Sequence, residues 1–124
     1  MWMVTFYDNP DLEGEPVMWP CVEAIVFDWG EGSPGAGLPA DGFSVRFVAT
    51  VPFEEGYYAF VVKAEGGVRI WLDEELIFDE WYDDFFDTGF DWAPGAGEHV
   101  IVVEFFDSNA DASIMFYWFK EIPE

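Results

Sequence analysis

Hydrophobic and polar positions alternate along much of this chain. Residues 43–51, FSVRFVATV, put Phe43, Val45, Phe47, Ala49 and Val51 on one face. Residues 57–63, YYAFVVK, put Tyr58, Phe60 and Val62 together. Residues 68–73, VRIWLD, turn Val68, Ile70 and Leu72 inward and Arg69 and Trp71 outward. A period of two is the signature of a half-buried strand. Two further runs, HVIVVEFF at 99–106 and SIMFYWF at 113–119, are apolar on both faces, as central strands are. Between the runs stand clusters of turn residues: NPDLEG, WGEGSPGAGLPADG, EEG, EGG and APGAGEH. The EGG cluster predicts a turn between strands 57–63 and 68–73. The runs 67–73 and 76–81 predict a hairpin over Asp73, Glu74 and Glu75. A tight hairpin turn needs positive φ, so a glutamate there carries a mild local cost. No window has helical periodicity, and nothing repeats. Short strands at turn-marked intervals predict an all-β fold, an antiparallel β-sandwich or barrel-like pair of sheets, in a single domain over residues 1–124.

Charge narrows the function. Twenty-six acids face only Arg46, Lys63, Arg69 and Lys120, a formal net charge of −22. Nucleic-acid binding replaces counterions with protein cations, and four cations cannot overcome that field. An anionic membrane surface is excluded for the same reason. The charge favours solubility and opposes compactness, so added salt is expected to stabilise the fold by screening. Halophilic adaptation and engineering both account for such an acid excess. Aromatics make up 21% of the chain, far too many for disorder. No apolar run approaches a membrane span of roughly 18 residues, and no basic, then apolar leader opens the chain. A domain cut from a longer secreted protein fits this pattern. Cys21 is alone, so it is expected to be a small buried hydrophobe, with no intramolecular disulfide and no zinc pattern.

Several segments, in order, resemble one family. FYDNPDLEGEPV at 6–17 is similar to the opening strand and Asn-Pro-x-Leu-x-Gly turn of the protective-antigen type (PA-fourteen) domains. IVFDWGEGSP at 25–34, GLPADGFSVRF at 37–47 and GYYAFVVKAEGGVRIWLDEELIFDEW at 56–81 resemble its next segments. AGEHVIVVEFF at 96–106 and MFYW at 115–118 resemble its closing strands. The resemblance implies a β-sandwich that binds carbohydrate without catalysis, in proteins that are secreted or at the cell surface. As an isolated domain it is expected to be monomeric. It also implies, for the adhesin branch, two adjacent aspartates that ligate a sugar-coordinating calcium. Here the family's Asp-Asp-Gly falls on Glu65, Gly66 and Gly67, and its hairpin glycine is Glu74. Calcium takes about six to eight oxygen ligands. Gly66 offers only a carbonyl, so the loop is altered and no metal is expected. Asp107, Ser108, Asn109 and Asp111 resemble the second ligand-bearing loop. Glu65, Asn109 and Asp111 are therefore the candidates for a remnant calcium site, against the plainer reading of a polar turn.

Other chemistry finds little support. Carboxylate pairs are everywhere, and none is marked as the desolvated acid of a glycosidase. The serines lack Gly-x-Ser-x-Gly context, and the glycine-rich segment lacks the lysine and helix of a phosphate loop. His99, entering a strand, is expected to make a structural hydrogen bond. Trp29 and Trp118 are expected in the core. Sugars stack on exposed aromatics, and Trp81 and Tyr82 lie in an acidic stretch. The expected glycan surface is thus the end carrying Glu65, Trp81, Tyr82, Asn109 and Asp111, acting by stacking and carboxylate–hydroxyl hydrogen bonds. The competing expectation is a structural or engineered scaffold that keeps the fold and binds nothing specific.

Overall fold

The computed structural model describes residues 1–30, 38, 42–107 and 111–121, with only the backbone of 17–20 and 83. Among the described residues there are eight strands: β1 (Trp2–Tyr7), β2 (Val17–Val22), β3 (Ile25–Gly30), β4 (Phe43–Phe53), β5 (Tyr58–Leu72), β6 (Glu75–Trp92), β7 (Gly97–Asp107) and β8 (Ala112–Lys120). All pairings are antiparallel, in the order β2-β1-β4-β7-β5-β8-β3, with β6 added beside β5. This is the expected all-β, barrel-like architecture. The double-faced apolar runs are interior, β7 between β4 and β5, and β8 between β5 and β3.

The main departure from the sequence pattern lies at EGG. Residues 58–72 form one continuous strand, with no turn between two. Its first half, Tyr58 to Glu65, pairs with β8; its second half, Gly67 to Leu72, pairs with β7. β6 follows it along the other edge throughout. The β5–β6 ribbon therefore belongs to two arms of the sheet, folded at Gly66 and Gly67. These glycines are required by close approach. A Cβ on Gly66 would lie 2.4 Å from the Phe106 carbonyl oxygen and 2.6 Å from the Phe105 ring, at a φ of +134°. A Cβ on Gly67 would lie 2.0 Å from the Phe106 ring. Two consecutive phenylalanines thus press on two consecutive glycines from opposite faces. On β6, Trp81, Tyr82 and Asp83 bulge where the register shifts between Gly66 and Val68.

The core follows the predicted parity. Phe43, Val45, Phe47 and Ala49, Tyr58, Phe60 and Val62, and Val68, Ile70 and Leu72 are all buried. Trp29 and Trp118 pack against this core, Trp29 edge-on to Phe43 and Phe6, and Trp118 beside Phe60 and Phe116. Cys21 corrects its expectation: it is exposed. Its strand lies at the margin of the sheet order, paired with β1, so residues that point away from the core meet water.

The β5–β6 hairpin turns on two residues, Asp73 (φ 49°) and Glu74 (φ 72°), while Glu75 already belongs to β6. Asp73 tolerates this backbone because its carboxylate is clamped. Oδ1 accepts from the Val100 N–H at 2.8 Å, and Oδ2 bonds His99 Nδ1. His99 Nε2 reaches the Gly95 carbonyl at 2.8 Å, so this histidine ties two connections together, as expected of a structural residue. The carboxylate raises the imidazole above its ordinary value of 6.5, against the opposing effect of burial and with help from the Gly95 carbonyl. In return His99, and then the Val100 N–H, hold Asp73 below 3.8.

Three tests follow from this geometry. Glu74→Gly removes a strained left-handed backbone and is expected to stabilise the fold by about 1 kcal/mol in urea unfolding. Gly66→Ala adds both a backbone clash and positive-φ strain, and the same measurement should show a loss of about 3 kcal/mol. The charge-assisted part of the His99–Asp73 bond is present only while His99 is protonated and Asp73 is ionised. The histidine's contribution is complete below its unfolded value and lost as pH rises through its raised folded value. The aspartate's is present above its unfolded value and lost as pH falls through its lowered one. Melts of the native chain against His99→Ala should therefore differ most near pH 5 and by less above the folded histidine value, where the packing of the ring on Phe53 remains.

Candidate functional site

The outward face of the arm formed by β1, β4, β7, β5 and β6 is built in rows, because facing residues of adjacent strands share a side of the sheet. One row runs Thr5, Arg46, Glu104, Arg69, Asp79. Both arginines of the chain converge on a single carboxylate. Arg46 Nε donates to Glu104 Oε2 at 2.8 Å, and its Nη2 lies 2.7 Å from the same oxygen. Arg69 Nη2 donates to Oε1 at 3.0 Å, and Arg46 Nη1 donates to the Tyr7 hydroxyl at 3.1 Å. Glu104 is only 6% exposed, and a carboxylate so placed needs this pairing. The arginines stay partly open to water.

Arg69 also lies over two indoles, 5.4 Å from the Trp71 ring centre and 3.7 Å from that of Trp81. Trp81 packs in addition on Phe106, with ring centres 4.6 Å apart. Beside this row an open groove of about 590 Å³ is lined by Trp71, Asp73, Glu74, Val100, Val102 and Glu104. Its floor is apolar and half-exposed, and its wall is carboxylate. Asp73 is engaged by His99 and Val100, and Glu104 by the arginines. Glu74 projects from the turn and is exposed.

The expected end of the molecule is brought together only in part. Glu65 pairs with Ser113 of β8 and Phe85 of β6, and Asp111 stands just ahead of β8, so the two belong to the same corner as Trp81 and Tyr82. Glu65, however, faces the other arm, lining a hollow of about 200 Å³ with Lys63, Val26, Met115 and Phe85. Trp81 spends its ring on Arg69 and Phe106, so it is not the open platform expected. Tyr82 is 54% exposed, and a hydrogen bond to Glu80 raises its hydroxyl pKa. Asn109 and Ser108 lie outside the described residues. Among the described residues, no three His, Cys, Asp or Glu side chains stand where they could hold a metal ion. Neither Gly66 nor Gly67 has room for a ligating side chain, so these positions do not fit the calcium loop that the resemblance implies.

The groove residues that the sequence reading left out did carry a signal. Trp71 is outward by strand parity, and Glu104 is the lone acid inside an apolar run, which marks an outward position facing a cation.

Comparison with known proteins agrees with this fold. The chain is 40% identical over 79 residues to the anti-sigma-I factor RsgI3 of Acetivibrio thermocellus, a match covering 61% of this chain and 12% of that protein. An anti-sigma factor domain-containing protein from Clostridium clariflavum superposes with a TM-score of 0.85 at 26% identity, over 96% of this chain and 41% of that one. The chain thus spans a minor part of these relatives' length. The Epa9A adhesin domain of Candida glabrata, solved in complex with Galb1-3GlcNAc, shares the fold with a TM-score of 0.69 at 12% identity, covering 99% of this chain and 83% of that domain. The PA14 domain profile matches residues 1–121, and the chain belongs to the PA14 domain family.

Proposed function

We propose that this domain is a non-catalytic carbohydrate-binding module that works without the family's calcium. The observation that carries the reading is the groove beside Trp71: about 590 Å³, apolar in its floor and edged by carboxylates. Its volume falls in the usual range of about 300–1,000 Å³ for small-ligand sites. A pyranose has an apolar C–H face and a rim of hydroxyl donors. The first suits the Trp71 ring with Val100 and Val102; the second suits Glu74, with the open N–H groups of Arg46 and Arg69 as donors to sugar oxygens. Of the expected corner residues, Trp81, stacked under Arg69, would border this surface, whereas Glu65 faces the other arm. A glycan-bound adhesin with the same fold supports the ligand class, and a surface or extracellular setting goes with it.

Affinity electrophoresis through gels carrying soluble plant and microbial polysaccharides tests the reading. Retardation on at least one neutral polysaccharide is expected, undiminished by a chelator. Trp71→Ala should lower that affinity about tenfold or more, from loss of roughly 1.4 kcal/mol or more of stacking and burial. Retention that vanishes with chelator, or survives Trp71→Ala, would reject the calcium-free groove.

A further inference from the structure

The groove is one part of a longer feature. The strand registers align Met3 of β1 with Val48 of β4, Val48 with Val102 of β7, Val102 with Trp71 of β5, and Trp71 with Leu76 of β6. These five side chains form an unbroken apolar row across five strands of the outward face. None is buried: Met3 is 58% exposed and Leu76 44%, with Val48, Val102 and Trp71 half-buried. Val100, 41% exposed, widens the row beside Trp71. Four strand spacings of about 4.8 Å make the row roughly 19 Å long. It runs perpendicular to the strands and parallel to the charged row Arg46–Glu104–Arg69–Asp79, one pair of residues away.

Resting on the glycan reading above, we infer that the ligand is an uncharged, extended polysaccharide, bound along the interior of its chain over this cross-strand row. Three features select it. Both end residues, Met3 and Leu76, are exposed, so the row does not bury a chain terminus against either of them. It is several sugar units long, which a terminal-sugar pocket is not. Its charges exclude a polyanion: both arginines already pair with Glu104, Asp79 stands opposite Arg69 in register, and Asp73 and Glu74 stand at the wall under a net charge of −22. A neutral chain offers apolar faces to the row and hydroxyl donors to the carboxylates.

The test is isothermal titration with neutral β-1,4-linked gluco-, manno- and xylo-oligosaccharides of two to six units, and oligogalacturonides of the same lengths. In at least one neutral series, affinity should rise about tenfold or more between the dimer and the longest chains. Met3→Ser and Leu76→Ser, at the two ends of the row, should weaken the long chains and leave the dimer unchanged. Tyr117→Ala, outward on β8 of the other arm, should change neither, and melting curves should match for all three variants. Equal affinity for all lengths, or indifference to both end substitutions, overturns the extended-chain inference and leaves the glycan reading standing. Tighter binding of the oligogalacturonides overturns the uncharged assignment alone. Failure of every series at every length removes the glycan reading itself.

Discussion

The structure depends on a close approach of two backbones at Gly66 and Gly67. β5 begins beside β8 and ends beside β7, so one strand must serve two arms of the sheet. The change of partner happens within two residues. Phe105 fills the space under the first glycine and Phe106 the space over the second, and neither position admits a side chain. Because the inner parity of β5 is kept through the corner, Tyr58 to Ala64 and Val68 to Leu72 feed one continuous core. The same corner fixes what lies outside. Phe106 over Gly67 gives Trp81 its packing surface, Trp81 supports Arg69, and Arg69 holds Glu104.

The electrostatic burden is handled in the same place. A chain with 26 acids and four cations gains little from scattered surface pairs, which contribute about 0–1 kcal/mol each. It concentrates both arginines on one nearly buried glutamate in the middle of the sheet. There the pairing offsets desolvation of that carboxylate more than it adds stability. The arrangement also sets direction: planar guanidinium groups held on Glu104 and stacked on indoles keep a fixed orientation beside the groove. Most other acids lie on exposed strand positions and turns, β6 above all, where charge discourages edge-to-edge pairing.

Much of the fold was legible because strand parity is a local signal. The buried sets 43–49, 58–62 and 68–72 could be read from alternation alone, and the central place of β7 and β8 from their two apolar faces. The turn at Asp73–Glu74 was readable to within a residue. The continuity of β5 was not, because a glycine pair reads equally as a turn or as a point of close contact. What decides between them is Phe105 and Phe106, nearly forty residues away. Cys21 was misplaced for a related reason: burial of a small side chain depends on whether its strand has neighbours on both sides. The candidate site was the least legible part. Trp81 looked like a platform because its partner, Arg69, lies on another strand. The row through Met3, Val48, Val102, Trp71 and Leu76 exists only once four registers are known.

A site built on a sheet face has different physics from one built on loops. At the corner, Gly66 and Gly67 stand where the resemblance places an aspartate and a glycine, and neither has room for a ligating side chain. A shallow face offers weak contacts instead: one indole, a few aliphatic side chains and a wall of carboxylates. Such contacts must overcome the cost of immobilising the ligand, which a single sugar meets poorly and a repeating chain meets once for many contacts. The sheet suits that task because its strands hold the contacts at fixed spacing, with no ordering of loops on binding. A long, rigid, apolar row is thus suited to recognition by length and shape, as the proposed extended ligand requires.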